Sequence, residues 1–505
     1  MKLYKKILLG ASITLAMASI ANAKDTNKVI IATTQTVQTL NPHNASITLD
    51  MSVASAVYEN LFKFDKNLVI VPVLATGYQV SEDAKTYTIQ LRDGIKFSDG
   101  TDFNAEAVKF NFDHEISNKL RRASLLTEVD NIEVISPTEL KISLKTPSNV
   151  FINNITHPSQ GMISPTAIKK YGDDISKHPV GTGRYLFNKW VRGSSVSFTA
   201  NPNYWGGDVA VKDLEFRPVA EAGSRLAMLK SGQAQMILKV PTTLKRAVEG
   251  DKKLEIKPVP SIIARYYALN TQNKILGNIK VRQALNYAIN KPAMIKVTYG
   301  GSATQLTSII PDRIETYTPQ PEYKYDVEKA KSLLKEAGYP NGFKATLWSK
   351  NSTESMRNAQ FLQQQLSDIN VDINIIPRDV ASHYAAADDL KNNSTKPIII
   401  DGGWSSSSAT ADWAIRPIFE TGASSNYALY SNTEVDKLID RARKTTDKKQ
   451  KLMDYQSAQK IIWSEAPYIF TTVDIQLYGK DKRLEGIELL PDGSLSVGNI
   501  KYSSK

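Results

Sequence analysis

A mixed α/β fold of two or three domains is what the sequence predicts, and three observations predict it. The chain of 505 residues is long enough to enclose several substantial apolar cores. Stretches with period-two alternation, the mark of half-buried strands, recur in the first half. Stretches with apolar residues at helical spacing dominate the second. At 41% hydrophobic and 23% charged, the composition is that of an ordinary globular chain, which excludes disorder on a large scale.

The N-terminus stands apart from that fold. MKLYKK is basic, ILLGASITLAMASI is apolar, and ANA (21–23) is a small-x-small cleavage site. Residues 1–23 therefore read as a secretory signal peptide cut after Ala23. Lys2, Lys5 and Lys6 leave with it, taking the formal charge from +12 to +9. No later segment reaches the roughly 18 consecutive apolar residues that a spanning helix needs. The chain has no cysteine, which excludes disulfides, cysteine catalysis and a lipid-modified cysteine anchor. An untethered exported protein of this kind is expected in the periplasm. Its lysines are scattered, with no dense basic run among aromatics, so no nucleic-acid partner is expected.

The mature chain is expected to begin with strands. YTIQL (87–91), LKISL (140–144) and VSF (196–198) alternate apolar and polar residues. The turn SDG (98–100) precedes a helix that Asn104 can cap, with Ala105, Val108 and Phe112 on one face. Later, Val281, Ala284, Leu285, Ala288 and Ile289 mark an apolar helical face. So do Ala330, Leu333, Leu334 and Ala337, in a helix stopped by Gly338 and Pro340. Thr433 is read as the cap of a helix carrying Val435, Leu438, Ile439 and Ala442, with Asp436 in its first turn. Another helix is expected over 448–464. No repeat and no low-complexity linker interrupts the series, so strands crossing between lobes are expected to join the domains.

Signatures of catalysis are missing. None of His43, His114, His157, His178 and His383 pairs with another at metal-ligand spacing, and HEISN (114–118) lacks the second histidine of a zinc-protease helix. Four serines, Ser405 to Ser408, follow an apolar run in DGGWSSSSATADWAI (401–415), yet no elbow motif or partner base marks a nucleophile. GTGRYL (181–186) lacks the third glycine of a dinucleotide loop; Gly181 and Gly183 read as permitting a tight turn or close backbone approach. Pairs such as Asp173-Asp174 and Asp388-Asp389 read as solvated surface. An exported α/β chain without catalytic marks, but with Trp348, Trp404, Trp413 and Tyr266 as candidate aromatic walls, reads as a binding protein.

Several stretches together carry a family resemblance. They are residues 58–113, HPVGTGRYLFNKW (178–190), NPNYWGG (201–207), KVRQALNYAINKPAMI (280–295), KAKSLLKEAGYPNGF (329–343) and YSNTEVDKLIDRA (430–442). In order and spacing they resemble the solute-binding proteins of peptide, nickel and oligopeptide ABC importers (family 5). RPVAEAGSRLAMLKSGQAQ (217–235), SIIARYYALNTQ (261–272), TLWSKNST (346–353) and GGWSSSSATADWAIRPIF (402–419) look most like glutathione-binding members. The resemblance implies a type II periplasmic-binding-protein-like α/β fold: two lobes, an extra inserted domain, and a ligand cleft between the lobes. It implies domain I over 24–66, 187–270 and 480–505, domain II over 67–186 and domain III over 271–479, with hinge strands near 270 and 480. It implies a non-enzymatic monomer that closes on a small peptide and delivers it to a membrane permease, with no cofactor and no resident metal. A dipeptide, haem or nickel-chelate ligand is the alternative within the family.

The resemblance also implies site residues. Peptide-binding relatives place an aspartate three residues after the Trp of a Gly-Trp pair, where it holds the peptide amino group. Here the pair is Gly403-Trp404, and the third residue is the neutral Ser407. Asp412 is the expected substitute carboxylate. For a ligand with two carboxylates, arginine forks are the expected partners: Arg265 first, then Arg357. Arg184 stands where relatives usually have proline, and reads equally as a private contact or as surface. Trp404, Tyr266 and Trp348 are expected as apolar walls, with Ser405 and Ser407 among the hydroxyl donors.

Overall fold

The computed structural model describes residues 27–390 and 395–503; the expected signal peptide lies outside them. One large sheet runs through the molecule, in the order Val371–Arg378, Phe343–Lys350, Ile398–Ser405, Leu254–Leu269, Tyr468–Asp481, Met236–Ile237, Lys28–Thr33, Asp213–Pro218, Ser195–Ala200, Tyr185–Val191. Ala303–Gln305 pairs off this path with Tyr468–Asp481. The two long central strands are antiparallel, and they carry the chain from one core to another. Leu254 to Pro260 pairs with Ile475 to Asp481, and Ala264 to Ala268 pairs with Tyr468 to Val473. The register shifts between Pro260 and Ala264. Proline donates no ladder hydrogen bond, so Pro258 and Pro260 suit such a break.

The apolar cores sort along this sheet. Val29, Ile31, Phe198 and Phe216 share a core with Leu484 and Ile500, so both ends of the chain meet there. A separate four-stranded sheet, Ala75–Val80, Thr86–Leu91, Glu139–Leu144, Val129–Ser136, packs with the helix Ala105–Ser117 around Ile89, Phe112 and Ile142. Leu61 and Phe62 also join this core. Two further cores cover opposite faces of the large sheet. Tyr266, Ile400 and Phe470 point into one, while Tyr267, Ile399 and Ile469 point into the other. Alternate side chains of one strand leave on opposite faces, which accounts for the sorting.

Local chemistry sets the helix ends. The Asn104 side chain accepts the Ala107 amide at 3.0 Å, as expected. Gly338 follows the helix Val327–Glu336 with φ 90°. The helix Lys448–Glu465 matches the expected 448–464. One expected cap is corrected: Asn432, not Thr433, caps the helix Thr433–Lys444, accepting the amides of Glu434 and Val435 at 3.0 and 3.2 Å. The Asn432 amide oxygen, one residue earlier and outside the helix, reaches both orphan donors.

The glycines of GTGRYL serve close approach. A Cβ would lie 2.2 Å from the Val57 carbonyl oxygen at Gly181 and 2.5 Å from it at Gly183. The same neighbourhood explains NPNYW. The buried Glu59 carboxylate accepts from Thr182 Oγ1 at 2.9 Å, Tyr204 OH at 2.7 Å and Trp205 Nε1 at 2.7 Å. Arg184 lies 3.8 Å from Glu59 and over the Tyr204 ring at 4.7 Å. That places it in this packing cluster.

Candidate functional site

The site grows from two glycines. In the pairing of Ile398–Ser405 with Leu254–Leu269, Gly402 stands opposite Tyr266 and Gly403 opposite Arg265. A Cβ on Gly402 would lie 2.4 Å from Tyr266 Cε2, and one on Gly403 would lie 2.8 Å from Arg265 Nη1. The missing side chains let a ring and a guanidinium lie across the neighbouring strand. Tyr266 is held there by stacking on Tyr468, ring centroids 4.2 Å apart. Burial, then the neighbouring tyrosines, raise its hydroxyl pKa well above the ordinary value, so it acts as a neutral hydrogen-bonding group.

Arg265 is already paired. Its Nε and Nη2 donate to Asp474 Oδ2 at 2.9 and 2.5 Å. Burial disfavours its charge, but the Asp474 carboxylate outweighs burial and holds the guanidinium well above its ordinary pKa. The other oxygen, Asp474 Oδ1, is buried without a hydrogen-bond partner. A second pair stands nearby: Lys350 Nζ is 3.1 Å from Asp401 Oδ2 and 2.9 Å from the Asp401 carbonyl oxygen. His383 Nε2 reaches the same carbonyl at 2.9 Å. Burial and the Lys350 charge push this imidazole down to about 4, so it is neutral at neutral pH.

Beside these groups lies a small polar cavity of about 20 Å³. Arg265, Tyr266, Asp401 and Thr471 line it from the sheet, and Glu354 and Asn358 from the helix Thr353–Ser367. Tyr299 closes a further side, accepting from Asn358 Nδ2 at 2.9 Å. Glu354 is exposed and, among the described residues, forms no ion pair. A space of this size holds a water or two. A peptide enters only as the walls part.

Of the expected site residues, this cavity brings together Arg265 and Tyr266. Arg357 is exposed, one residue from Asn358, and its Nη1 donates to the Thr298 carbonyl at 3.3 Å. Trp348 is half-buried against the core of Tyr266, with Arg378 over its ring at 4.8 Å. Trp404 is half-buried; its Nε1 donates to the Trp413 carbonyl at 2.6 Å and its ring lies 5.7 Å from that of Trp413. Ser405 Oγ donates to the Asp492 carbonyl at 2.7 Å, and Ser407 Oγ to Ser405 Oγ at 3.1 Å. The serine loop thus satisfies much of its own polarity. Asp412 is not among the residues that line the cavity. It is fully buried in the first turn of the helix Ala411–Phe419, and both its oxygens accept from Arg416 Nε, at 3.1 and 3.0 Å. An (i, i+4) ion pair within the helix has claimed that carboxylate.

Sequence reading missed Asp401, Asp474, Glu354 and Tyr299. For the first two a signal existed. Each is a lone carboxylate in an apolar strand run, PIIIDGG and YIFTTVDIQL, where an unpaired charge is costly. Glu354 and Tyr299 carry no local mark.

Comparison with known proteins adds the family. Residues 69–426 match the model of the bacterial extracellular solute-binding proteins, family 5 Middle. The chain belongs to this family. It is 40% identical over 504 residues to the glutathione-binding protein GsiB of Shigella flexneri, covering 97% of each chain. The fold of this family 5 protein is also that of a dipeptide binding protein from Pseudoalteromonas sp. SM9913 in complex with Met-Leu. The TM-score is 0.87 at 22% identity, over 94% of this chain and 100% of the other. NikA from Staphylococcus aureus in complex with Ni(L-His)2 gives a TM-score of 0.84 at 20% identity, over 94% and 100%. The architecture is therefore the type II periplasmic-binding-protein fold, two lobes with an extra domain and a cleft between them. Among the described residues no helix is long and apolar enough to cross a membrane, and no cluster of three metal-ligating side chains occurs.

Proposed function

We propose that this family 5 protein is the periplasmic solute-binding component of an ABC importer, and that its ligand is glutathione or a similar short anionic peptide. The observation that carries the reading is identity of 40% with GsiB over 97% of both chains, which leaves no domain unmatched. The cavity supports it. Glutathione carries two carboxylates and one ammonium, and the walls offer both signs of charge: Arg265 against Asp401 and Glu354, with Lys350 behind Asp401 as its partner. Glu354, exposed and without an ion pair among the described residues, is the counter-charge for the ligand ammonium in place of the aspartate that relatives carry where Ser407 stands. Arg265 offers its fork to a carboxylate while Asp474 keeps it oriented.

The protein performs no chemistry in this reading. Ligand binds as the lobes part, closure removes it from water, and the closed monomer presents one surface to the permease. The domain division expected over 24–66 with 187–270 and 480–505, 67–186, and 271–479 is supported by cores that draw mainly on those segments. Titration calorimetry of the protein lacking residues 1–23 tests the proposal, with reduced and oxidised glutathione, dipeptides, haem and a nickel–histidine chelate compared. Saturable binding of glutathione is expected. Binding of dipeptides alone would overturn the ligand, and turnover of an ester or peptide would overturn the whole class.

A further inference from the structure

Opposite charges line the cavity without meeting. Arg265 stands on its sheet side and Glu354 on its helix side, around a space of about 20 Å³. Arg265 Nε and Nη2 are engaged by Asp474 Oδ2, while Nη1, laid across Gly403, forms no hydrogen bond among the described residues. Glu354 is exposed and forms no ion pair among them either. The other lining carboxylate, Asp401, is engaged by Lys350 at 3.1 Å.

The helix Thr353–Ser367 presents a second group to the same space. Glu354 and Asn358 are one turn apart, at i and i+4, so their side chains share a face, and both line the cavity. Asn358 is only 7% exposed. Its Nδ2 donates to the Tyr299 hydroxyl at 2.9 Å, and its Oδ1 is buried with no hydrogen-bond partner. Leaving a buried carbonyl oxygen unpaired is costly, and few native groups are left so. What the cavity lacks is therefore specific: an anion for Arg265 Nη1, and a cation bearing N–H donors for Glu354 and Asn358 Oδ1. In so small a space the two must sit on neighbouring atoms. A linear α-peptide separates its ammonium from its carboxylate by at least one peptide bond. An α-amino-acid head carries both on one carbon. A γ-linked glutamate keeps that head free, because its bond to the next residue leaves from the side chain.

We propose that the cavity holds the free α-amino-acid head of a γ-glutamyl peptide, with the α-carboxylate on Arg265 and the α-ammonium between Glu354 and Asn358. Asn358 is thereby a specificity residue. The proposal rests on the peptide-capture reading above and narrows its ligand to one linkage.

Calorimetry on the wild-type protein compares reduced glutathione, γ-glutamylglycine, free glutamate and the α-linked isomer Glu-Cys-Gly, which has the same formula and net charge as glutathione. γ-Glutamylglycine is expected to bind within about 10-fold of glutathione, and the α-linked isomer at least about 30-fold more weakly. Glutamate, which has the head without the tail, is expected to bind more weakly than either γ-glutamyl ligand. Asn358→Leu removes the acceptor at similar volume. It should weaken glutathione about 10-fold while changing N-acetylglutathione, which has no ammonium and is measured by competition, less than about 2-fold. Asn358→Asp keeps an oxygen in place and should retain most of the affinity. Equal affinity for the two isomers, or failure of γ-glutamylglycine to bind where glutathione does, overturns the head-group reading whether or not the variants fold. An equal loss for glutathione and its N-acetyl form, or no loss, removes Asn358 from it. Glutamate as tight as glutathione would make the ligand an amino acid. A wild-type protein that binds none of the four overturns the capture reading itself.

Discussion

Replacing Arg265 by alanine is expected to damage the fold before it damages binding. Both of its hydrogen bonds to Asp474 land on one oxygen, Oδ2, and the other oxygen has no partner. Removing the guanidinium strips the carboxylate of every side-chain donor while leaving it about one-tenth exposed, at 11%. Breaking a fully buried pair in this way costs about 3–5 kcal/mol. The Arg265 side chain is 25% exposed, so water partly compensates, which brings the expected loss to about 2–3 kcal/mol. Adding Asp474→Ala removes the stranded charge and should recover most of that, a coupling of about 2 kcal/mol. Urea unfolding followed by tryptophan fluorescence measures all three variants, and calorimetry measures their affinity for glutathione. The double variant should regain stability but not affinity, because the ligand-facing fork is still absent. Additive single losses, or a single variant as stable as wild type, would refute the argument that the ion pair positions the fork.

Other changes have separable outcomes. Gly402→Ala drives a methyl into the Tyr266 ring at 2.4 Å. It should cost about 1–3 kcal/mol in urea unfolding and weaken ligand binding as the ring leaves its stack. Glu59→Ala strands the donors of Thr182, Tyr204 and Trp205. It should cost about 2–4 kcal/mol with ligand affinity unchanged; a selective loss of affinity would move this cluster into the site. Burial pushes the Glu115 carboxyl from 4.5 up to about 8, against the opposing effects of Gln160 and Arg122. Its folded pKa is raised, so the stability tied to the bound proton is present below pH 4.5 and is lost as pH rises towards 8. Wild type should therefore lose stability relative to Glu115→Gln by up to about 1.4 kcal/mol per pH unit in that window. A gap that stays constant in thermal melts from pH 5 to 8 would show that the carboxyl is not perturbed.

What was legible in the sequence was what depends on near neighbours. Alternation in YTIQL and LKISL, the Asn104 cap and the Gly338 stop are written within a few residues, and they reappear in the fold. Even there the margin is one residue, as Asn432 shows against Thr433. Arg265 was named through the family resemblance and Tyr266 among the candidate aromatics; the reason both side chains lie where they do, a pair of glycines on the adjacent strand, lies more than 130 positions away. Asp412 adjoins Trp413, which Trp404 touches, yet the helix starting at Ala411 turns its carboxylate onto Arg416. Tyr299, Glu354 and Asp474 come from three distant segments. No pattern within any one of them records that the others are there.

The stretch DGGWSSSSATADWAI joins the site at one end and the contact between lobes at the other. Gly402 and Gly403 seat the cavity residues. Further along, the Ser408 carbonyl accepts from Asn153 Nδ2 at 3.2 Å, and the Trp413 ring lies 5.4 Å from that of His157. Nearby, Arg443 pairs with Glu128 at 2.7 Å, and Asn149 Nδ2 donates to the carbonyls of Ala442 and Thr445 at 2.9 and 2.7 Å. These contacts are few and mostly polar. When the lobes part, water replaces them, so each contributes only about 0.5–1.5 kcal/mol net. In the capture reading proposed above, a ligand shifts the lobes only by as much as it binds the closed arrangement better than the open one. Strengthening the lobe contact, rather than the cavity, would raise affinity for every ligand alike and leave the ratio between ligands unchanged, so discrimination has to come from the cavity.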